Sequence, residues 1–256
     1  MKCTLNLPEL FPSRKERIDF QRRFRDFLAS DDYNHKVYRI KGEHLLFASE
    51  QLIPAKSDNR TPLLMVFGNP APQSVSEGMF FAFEGKGREH RFWKHIIKPT
   101  GLLCFSLDAD LPVRERNKYR KSKILSLDYL SRFRVGFTVF ISLPSGASGP
   151  WSGISGIKKL LGARAMREIF FYERARVKKA AKEFLAGGGV VMTFQKDAWD
   201  GLRSRNDPPY SIATARQGKL KGMFNDMQNI RLYGLPPTRL VGPCRQVLAC
   251  VLEDAS

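Results

Sequence analysis

Leu63–Phe67 is a run of five apolar residues that stops on Gly68-Asn69-Pro70. A run this short and this continuous suits a strand buried on both faces, and glycine with proline ends it. The chain then crosses a polar turn carrying Pro72 and returns to Gly78-Met79-Phe80-Phe81. A buried strand that breaks with one amide side chain at the break can hold a reactive group at the carboxyl edge of a sheet. The loop 68–81 is therefore expected to carry the active site.

The same pattern recurs downstream. Val135–Leu143 reads as a strand that stops at Pro144-Ser145-Gly146, followed by a Gly-, Ser- and Pro-rich loop to Gly156. Met166–Leu185 reads as a long helix ended by Gly187-Gly188-Gly189, and Val190–Phe194 as the next strand. A short helix follows over Lys196–Leu202, then a polar loop region over Arg203–Gly222 and a strand over Asn229–Tyr233. Pro243 opens a last helix with Cys244, Val247, Leu248, Val251 and Leu252 at helical spacing. Short buried strands alternating with helices predict an α/β fold, a three-layer α/β/α arrangement around a short, mainly parallel central sheet. The loops 68–81, 144–156 and 234–239 follow strands and are expected to converge in one cleft.

Residues 1–60 read as an amino-terminal helical extension packed on the core, and residues 61–256 as the α/β domain. Ser13 caps a helix with Phe20, Phe24, Phe27 and Leu28 on one face and Arg14, Lys15, Arg17, Arg22, Arg23 and Arg25 on the other. That basic face suits either solvent or phosphates. So does Arg114–Lys123, with six basic residues in ten.

Charge narrows the partner. Lys and Arg number 43 against 25 Asp and Glu, a net +18, which makes nucleic acid the first candidate, ahead of an anionic membrane surface or an acidic protein. No apolar run approaches the roughly 18 residues of a membrane span, and the start has no long apolar segment of a secretory signal. The chain is expected in the cytoplasm, with the nucleoid, or in a nucleus if eukaryotic. Cys3, Cys104, Cys244 and Cys250 are scattered and the histidines stop at His95, so no metal site, no cofactor and reduced thiols are expected.

In order and spacing these pieces resemble the uracil-DNA glycosylase superfamily, most closely its mismatch-specific uracil/thymine branch. The resemblance runs from about Leu63 to the end and rests on Asn69-Pro70, Gly78, Phe81 and Arg91-Phe92-Trp93-Lys94, then Gly136-x-Thr138 with Pro144, then Lys196-x-Ala198-Trp199. It implies a monomeric DNA glycosylase of base excision repair that flips a damaged or deaminated, uracil-like base and hydrolyses its N-glycosidic bond without metal or cofactor. Asn69 would hold the attacking water. Gly68, Gly78, Met79, Phe80, Phe81 and Ser142 would surround the base, with Phe81 stacking on it. Pro236, Pro237, Thr238 and Arg239 would touch DNA. The last motif departs from the family: Leu235 stands where a His or Asn is usual, and it offers no side-chain donor. Ser142, Ser145 and Ser148 are the substitutes at hand.

Each residue also has a plainer reading. Asn69 suits an Asx turn before Pro70, Phe81 ordinary core packing, and Arg239 a surface ion pair. At the level of the whole chain, a nucleic-acid-binding protein that has lost catalysis competes with the glycosylase. A hydrolase of free nucleosides is a third reading, which so basic a surface disfavours.

Overall fold

The structure is a computed structural model, and it describes residues 1–85, 87–107, 110–225 and 227–255. The chain forms two compact units, each discontinuous in sequence. The first comprises Met1–Gln51, Gly68–Phe80 and Val139–Ala175; the second comprises Leu52–Phe67, Phe81–Thr138 and Arg176–Ser256.

In the first unit, strands β1 (Lys2–Asn6), β2 (Tyr38–Lys41) and β3 (His44–Ala48) make an antiparallel sheet in the order β1-β3-β2. None of the three was expected, because each is short and only His44–Ala48 alternates in burial; pairing, not local pattern, makes them strands. The helix Arg14–Ala29 starts where Ser13 predicts, with a reciprocal Ser13–Glu16 capping box. Its Phe20, Phe24 and Phe27 are buried in a line of rings that runs from Phe11 to Tyr38 and Trp151. Its basic face is partly internal. Arg17 donates to the carbonyls of Phe11 and Pro12, and Arg23 to the Leu160 carbonyl at 2.8 Å. Arg14, Lys15 and Arg25 stay exposed.

The second unit carries the main sheet. Strands β4 (Gln51–Leu52), β5 (Thr61–Phe67), β6 (Phe133–Val139), β7 (Gly189–Thr193), β8 (Lys221–Phe224) and β9 (Met227–Gly234) lie in the order β4-β6-β5-β7-β9-β8. Strands β5, β7 and β9 run parallel, with Leu63 opposite Val190 and Val190 opposite Arg231, and β8 closes the edge antiparallel to β9. Helices flank this sheet, so the expected three-layer α/β/α class with a mainly parallel sheet is the one observed. Every residue of β6 is buried, Arg134 and Thr138 included, as are Leu63–Phe67 of β5; burial on both faces is why β5 reads as a continuous apolar run rather than an alternating one. Strand β8 begins in the last two residues of the stretch read as a loop; its Lys-Gly-Met-Phe sequence has no strand pattern, and the ladder to β9 supplies what local propensity lacks.

Two further details differ from expectation. The polar turn after Pro70 is a short helix, Pro72–Glu77, closed by Gly78 in the left-handed region at φ 69°. Residues 91–97, whose apolar content reads as a helix, are wound as a π-helix over Phe92–Ile97 before Lys98–Thr100 returns to α geometry. Pro99 has no N–H to give the His95 carbonyl and its ring crowds that oxygen, which opens the turns ahead of it. Among the described residues no helix is long and apolar enough to cross a membrane.

Gly189, the first residue of β7, tests the packing at the amino end of the parallel ladder. Its φ is +127°, and an added Cβ would sit 2.5 Å from the Pro62 carbonyl oxygen. Gly188 next to it has open space. Gly189→Ala is expected to destabilise by roughly 2–5 kcal/mol, against no more than about 1 kcal/mol for Gly188→Ala. Urea midpoints at an unchanged slope measure both, and equal costs would refute this account of the strand start.

Candidate functional site

Strand β5 ends at Phe67, and the next two residues begin the loop that the sequence singles out. In the first unit this loop is fastened to residues 141–145 by two backbone bonds. The Ile141 N–H donates to the Gly68 carbonyl at 2.8 Å and the Ser145 N–H to the Pro70 carbonyl at 3.0 Å. Between them, the Asn69 amide donates through Nδ2 to the Ser145 hydroxyl at 2.7 Å and to the Leu143 carbonyl at 3.3 Å. Ser145 is buried, and its own hydroxyl proton goes to the Gly153 carbonyl at 3.0 Å, so the oxygen facing Asn69 is an acceptor. That fixes the amide: Nδ2 points at the protein, and Oδ1 accepts nothing from the described residues. The Asx turn that would have explained Asn69 locally is not formed. The residue is half-buried and presents a carbonyl oxygen of set direction.

Ser142 lies beside this arrangement but is committed elsewhere. Its N–H donates to Glu173 Oε1 at 2.6 Å and its hydroxyl hydrogen-bonds the same oxygen. Both residues are buried, so the carboxylate clamps the turn after β6 and the Ser142 proton is not available for a ligand. Ser148 is exposed on the loop. Met79 and Phe80 are buried, and the Met79 N–H is taken by the Ser74 carbonyl at 3.2 Å.

In the second unit Phe81 carries the unusual backbone. Its φ is +52°, a left-handed conformation that strains a non-glycine residue by about 1–3 kcal/mol. The segment is a turn, with Phe80 buried and Phe81 half-buried. One face of the Phe81 ring stacks on Phe92 at 4.2 Å, and Phe67 meets it edge-on at 5.0 Å. Its N–H has no acceptor among the described residues.

His90 completes this cluster, 4.9 Å from the Phe81 ring. Its Nδ1 accepts the Phe92 N–H at 3.1 Å, which places the ring proton on Nε2. Burial pushes its pKa down to about 4, with Arg91 adding to the fall and Glu84 opposing it, so the ring is neutral near pH 7. Its Nε2–H meets no acceptor among the described residues. Burial alone would raise the Glu84 carboxyl, but the Arg91 hydrogen bond at 2.8 Å and the charges of His90, Arg91 and Arg88 bring it below the usual value. Nothing in the sequence marks His90 beyond its place directly before Arg91-Phe92-Trp93-Lys94. Within that run Phe92 and Trp93 are core residues, while Lys94 and His95 line an open cleft of about 550 Å³ with Glu84, Arg88, Glu89, Val113 and Arg116. Neither Asn69, Phe81 nor Leu235 lines that cleft.

The last motif extends β9. Leu235 is fully buried; its N–H donates to the Thr193 carbonyl at 2.7 Å and its carbonyl accepts the Tyr210 hydroxyl at 3.1 Å. It is a core position with its backbone satisfied. Pro236 is buried, Pro237 and Thr238 are half-buried, and Arg239 is exposed with no carboxylate partner among the described residues, so the surface ion pair considered for it is not formed. The basic stretch 114–123 is largely paired rather than free, although Arg114, Lys118 and Lys121 are exposed. It forms the helix Val113–Ser126, where Arg116 and Arg120 both pair with Glu89, Lys118 with Glu115 and Lys123 with Asp128. Thus Asn69 and residues 141–145 meet in the first unit, and Phe81, His90 and Phe92 in the second, where Leu235–Arg239 also lie.

No protein-family model matches this chain, and no curated protein matches it.

The His90 pKa makes a stability prediction. The unfolded ring titrates near 6.5 and the folded one at about 4, so between those values the unfolded state binds more protons and stability falls as pH falls. The contribution is complete above about pH 7 and amounts to at most about 3 kcal/mol. In urea titrations the stability gap between the native protein and His90→Gln should therefore narrow as pH is lowered from 7 to 4. A gap that stays constant would mean that the ring is not held neutral by burial.

Proposed function

We propose that the protein is a DNA glycosylase acting on a damaged or deaminated, uracil-like base in DNA, with no metal or cofactor. The observation that carries this reading is the amide of Asn69, whose Nδ2 is held by Ser145 and Leu143 while Oδ1 has no donor among the described residues. An oxygen aimed in this way accepts a hydrogen bond from a water and orients it; an amide is no strong base, so it positions more than it activates. Such a group suits a reaction in which the C1′–N bond breaks first, with the electron pair leaving on the base, and the oriented water then adds to C1′ of the oxocarbenium-like sugar and gives up its proton to solvent. The products are an abasic site and the free base.

Charge on the departing base needs fixed donors. Leu235 supplies none from its side chain. The Phe81 N–H and the His90 Nε2–H, both without an acceptor among the described residues, are the donors beside the Phe81 ring. A neutral histidine is the appropriate form for donating a hydrogen bond to a developing anion at neutral pH. The net charge of +18 and Arg239, which has no carboxylate partner among the described residues, support a polyanionic substrate such as chromosomal DNA over a free nucleoside.

The burial of Leu235 favours one second reading, a nucleic-acid-binding protein that keeps the fold without the chemistry. Abasic-site formation on oligonucleotides carrying uracil, hypoxanthine or a mismatch separates the two. The native protein is expected to yield abasic product on at least one of them. Asn69→Ala should slow it by at least about 10²-fold, and Ser145→Ala, which frees the amide to turn, by roughly tenfold. Binding that survives Asn69→Ala, with no abasic product on any lesion at enzyme excess, would establish the non-catalytic reading instead.

A further inference from the structure

The helix Ala163–Leu185 turns two large aromatic side chains outward. Phe171 is 71% exposed and Tyr172 59%, and their rings meet edge to face at 6.0 Å. The fold does not need them there. In the same stretch of the first unit, Ala165, Met166 and Ile169 already bury the apolar side of the helix, and Glu173 faces inward to Ser142. A lone exposed apolar residue is ordinary; two adjacent aromatic rings in contact are a surface. Arg167 and Arg174 flank it, both exposed and neither paired with a carboxylate among the described residues. Positions 167, 171 and 174 are about one turn apart and share a helix face, so Phe171 is flanked along that face by two arginines.

Rings bordered by arginines offer stacking faces and phosphate contacts together. The bases of a single strand have free faces to meet the rings, whereas a duplex keeps its bases stacked inside. A membrane surface is a poorer match, because interfacial helices present a broad apolar face, and here that face is buried. An acidic partner protein would match the arginines but gives the two rings no particular role, while the whole chain carries the +18 charge that a polyanion complements. We propose that Phe171 and Tyr172 stack bases of single-stranded nucleic acid while Arg167 and Arg174 hold its phosphates. This contact is separate from the glycosylase reading and requires no cleavage.

The test is binding of the full chain to fluorescent, unmodified dT12 and rU12 and to a fully paired hairpin of matched length. Phe171→Ala/Tyr172→Ala should weaken single-strand binding by roughly ten- to a hundredfold, the loss of one or two stacked bases, and hairpin binding by less than about twofold. Phe171→Tyr/Tyr172→Phe, which keeps both rings, should retain the affinity. Arg167→Gln/Arg174→Gln should reduce the salt slope by about 1.4, two phosphates at roughly 0.7 each. The dT12 and rU12 arms say which sugar is preferred. The proposal is overturned if the native chain does not bind either strand at low salt. It is also overturned if the aromatic double variant binds as the native chain does, or if single-strand and hairpin affinities fall equally. A concentration-dependent dimer, or vesicle binding, that the aromatic double variant abolishes with no change in dT12 affinity would assign the patch to a second copy or a membrane and refute it as well. Because these strands carry no lesion, this result and the abasic-site assay can fail independently.

Discussion

The parallel ladder of β5, β7 and β9 is the constraint on which the rest of the second unit depends. Leu63–Phe67 of β5 and Val190–Thr193 of β7 are buried, so each of their backbone N–H and C=O groups must find its partner in the neighbouring strand or be left without one in the core. The pairing even continues past the strands, with the Phe194 N–H on the Val66 carbonyl at 3.4 Å and the Leu235 N–H on the Thr193 carbonyl at 2.7 Å. A slip of one residue would turn every side chain to the other face. This register sets where each strand stops, and so where the segments beginning at Gly68, Gln195 and Pro236 leave the sheet. Leu235 illustrates the consequence: the ladder takes its N–H, Tyr210 takes its carbonyl, and the side chain is left to the core.

The two local arrangements of interest are rigid for different reasons. Asn69 is held by a chain of hydrogen bonds in which each group has one role, from amide to serine hydroxyl to the Gly153 carbonyl. Removing any link leaves the amide free to flip and exchange acceptor for donor. Phe81 is instead held by packing. Phe92 and Phe67 grip the ring firmly enough to maintain a left-handed backbone that the residue would not adopt by itself. Strain of this kind persists only where the surroundings over-determine it, and it is found disproportionately at functional positions.

Charge is distributed less uniformly than a net +18 suggests. Much of the Arg114–Lys123 run is tied up in pairs with Glu89, Glu115 and Asp128, and Arg120 also covers the Trp93 ring at 5.1 Å. Arg17 and Arg23 of the amino-terminal helix serve backbone carbonyls. Exposed cations with no carboxylate partner among the described residues include Arg14, Lys15 and Arg25, Arg167 and Arg174, and Arg239. A linear count of basic residues could not separate these sets, because pairing depends on which acids the fold brings near.

The sequence by itself determined the α/β class, the presence of buried strands around 63–67, 135–143 and 190–194 (observed at 61–67, 133–139 and 189–193), the Ser13 cap and the loop at Gly68-Asn69-Pro70. These rest on signals that act within a few residues: apolar runs, capping side chains and the backbone limits of glycine and proline. The tertiary structure alone decided the three strands before residue 50 and strand β8, whose identity comes from pairing with distant partners. It also decided which way the Asn69 amide faces, that Ser142 belongs to Glu173, that Leu235 is a core residue, and that His90 is buried and neutral beside Phe81. Each of these is set by a neighbour far away in the chain or by burial that only the packed fold creates, and neither is encoded in local spacing.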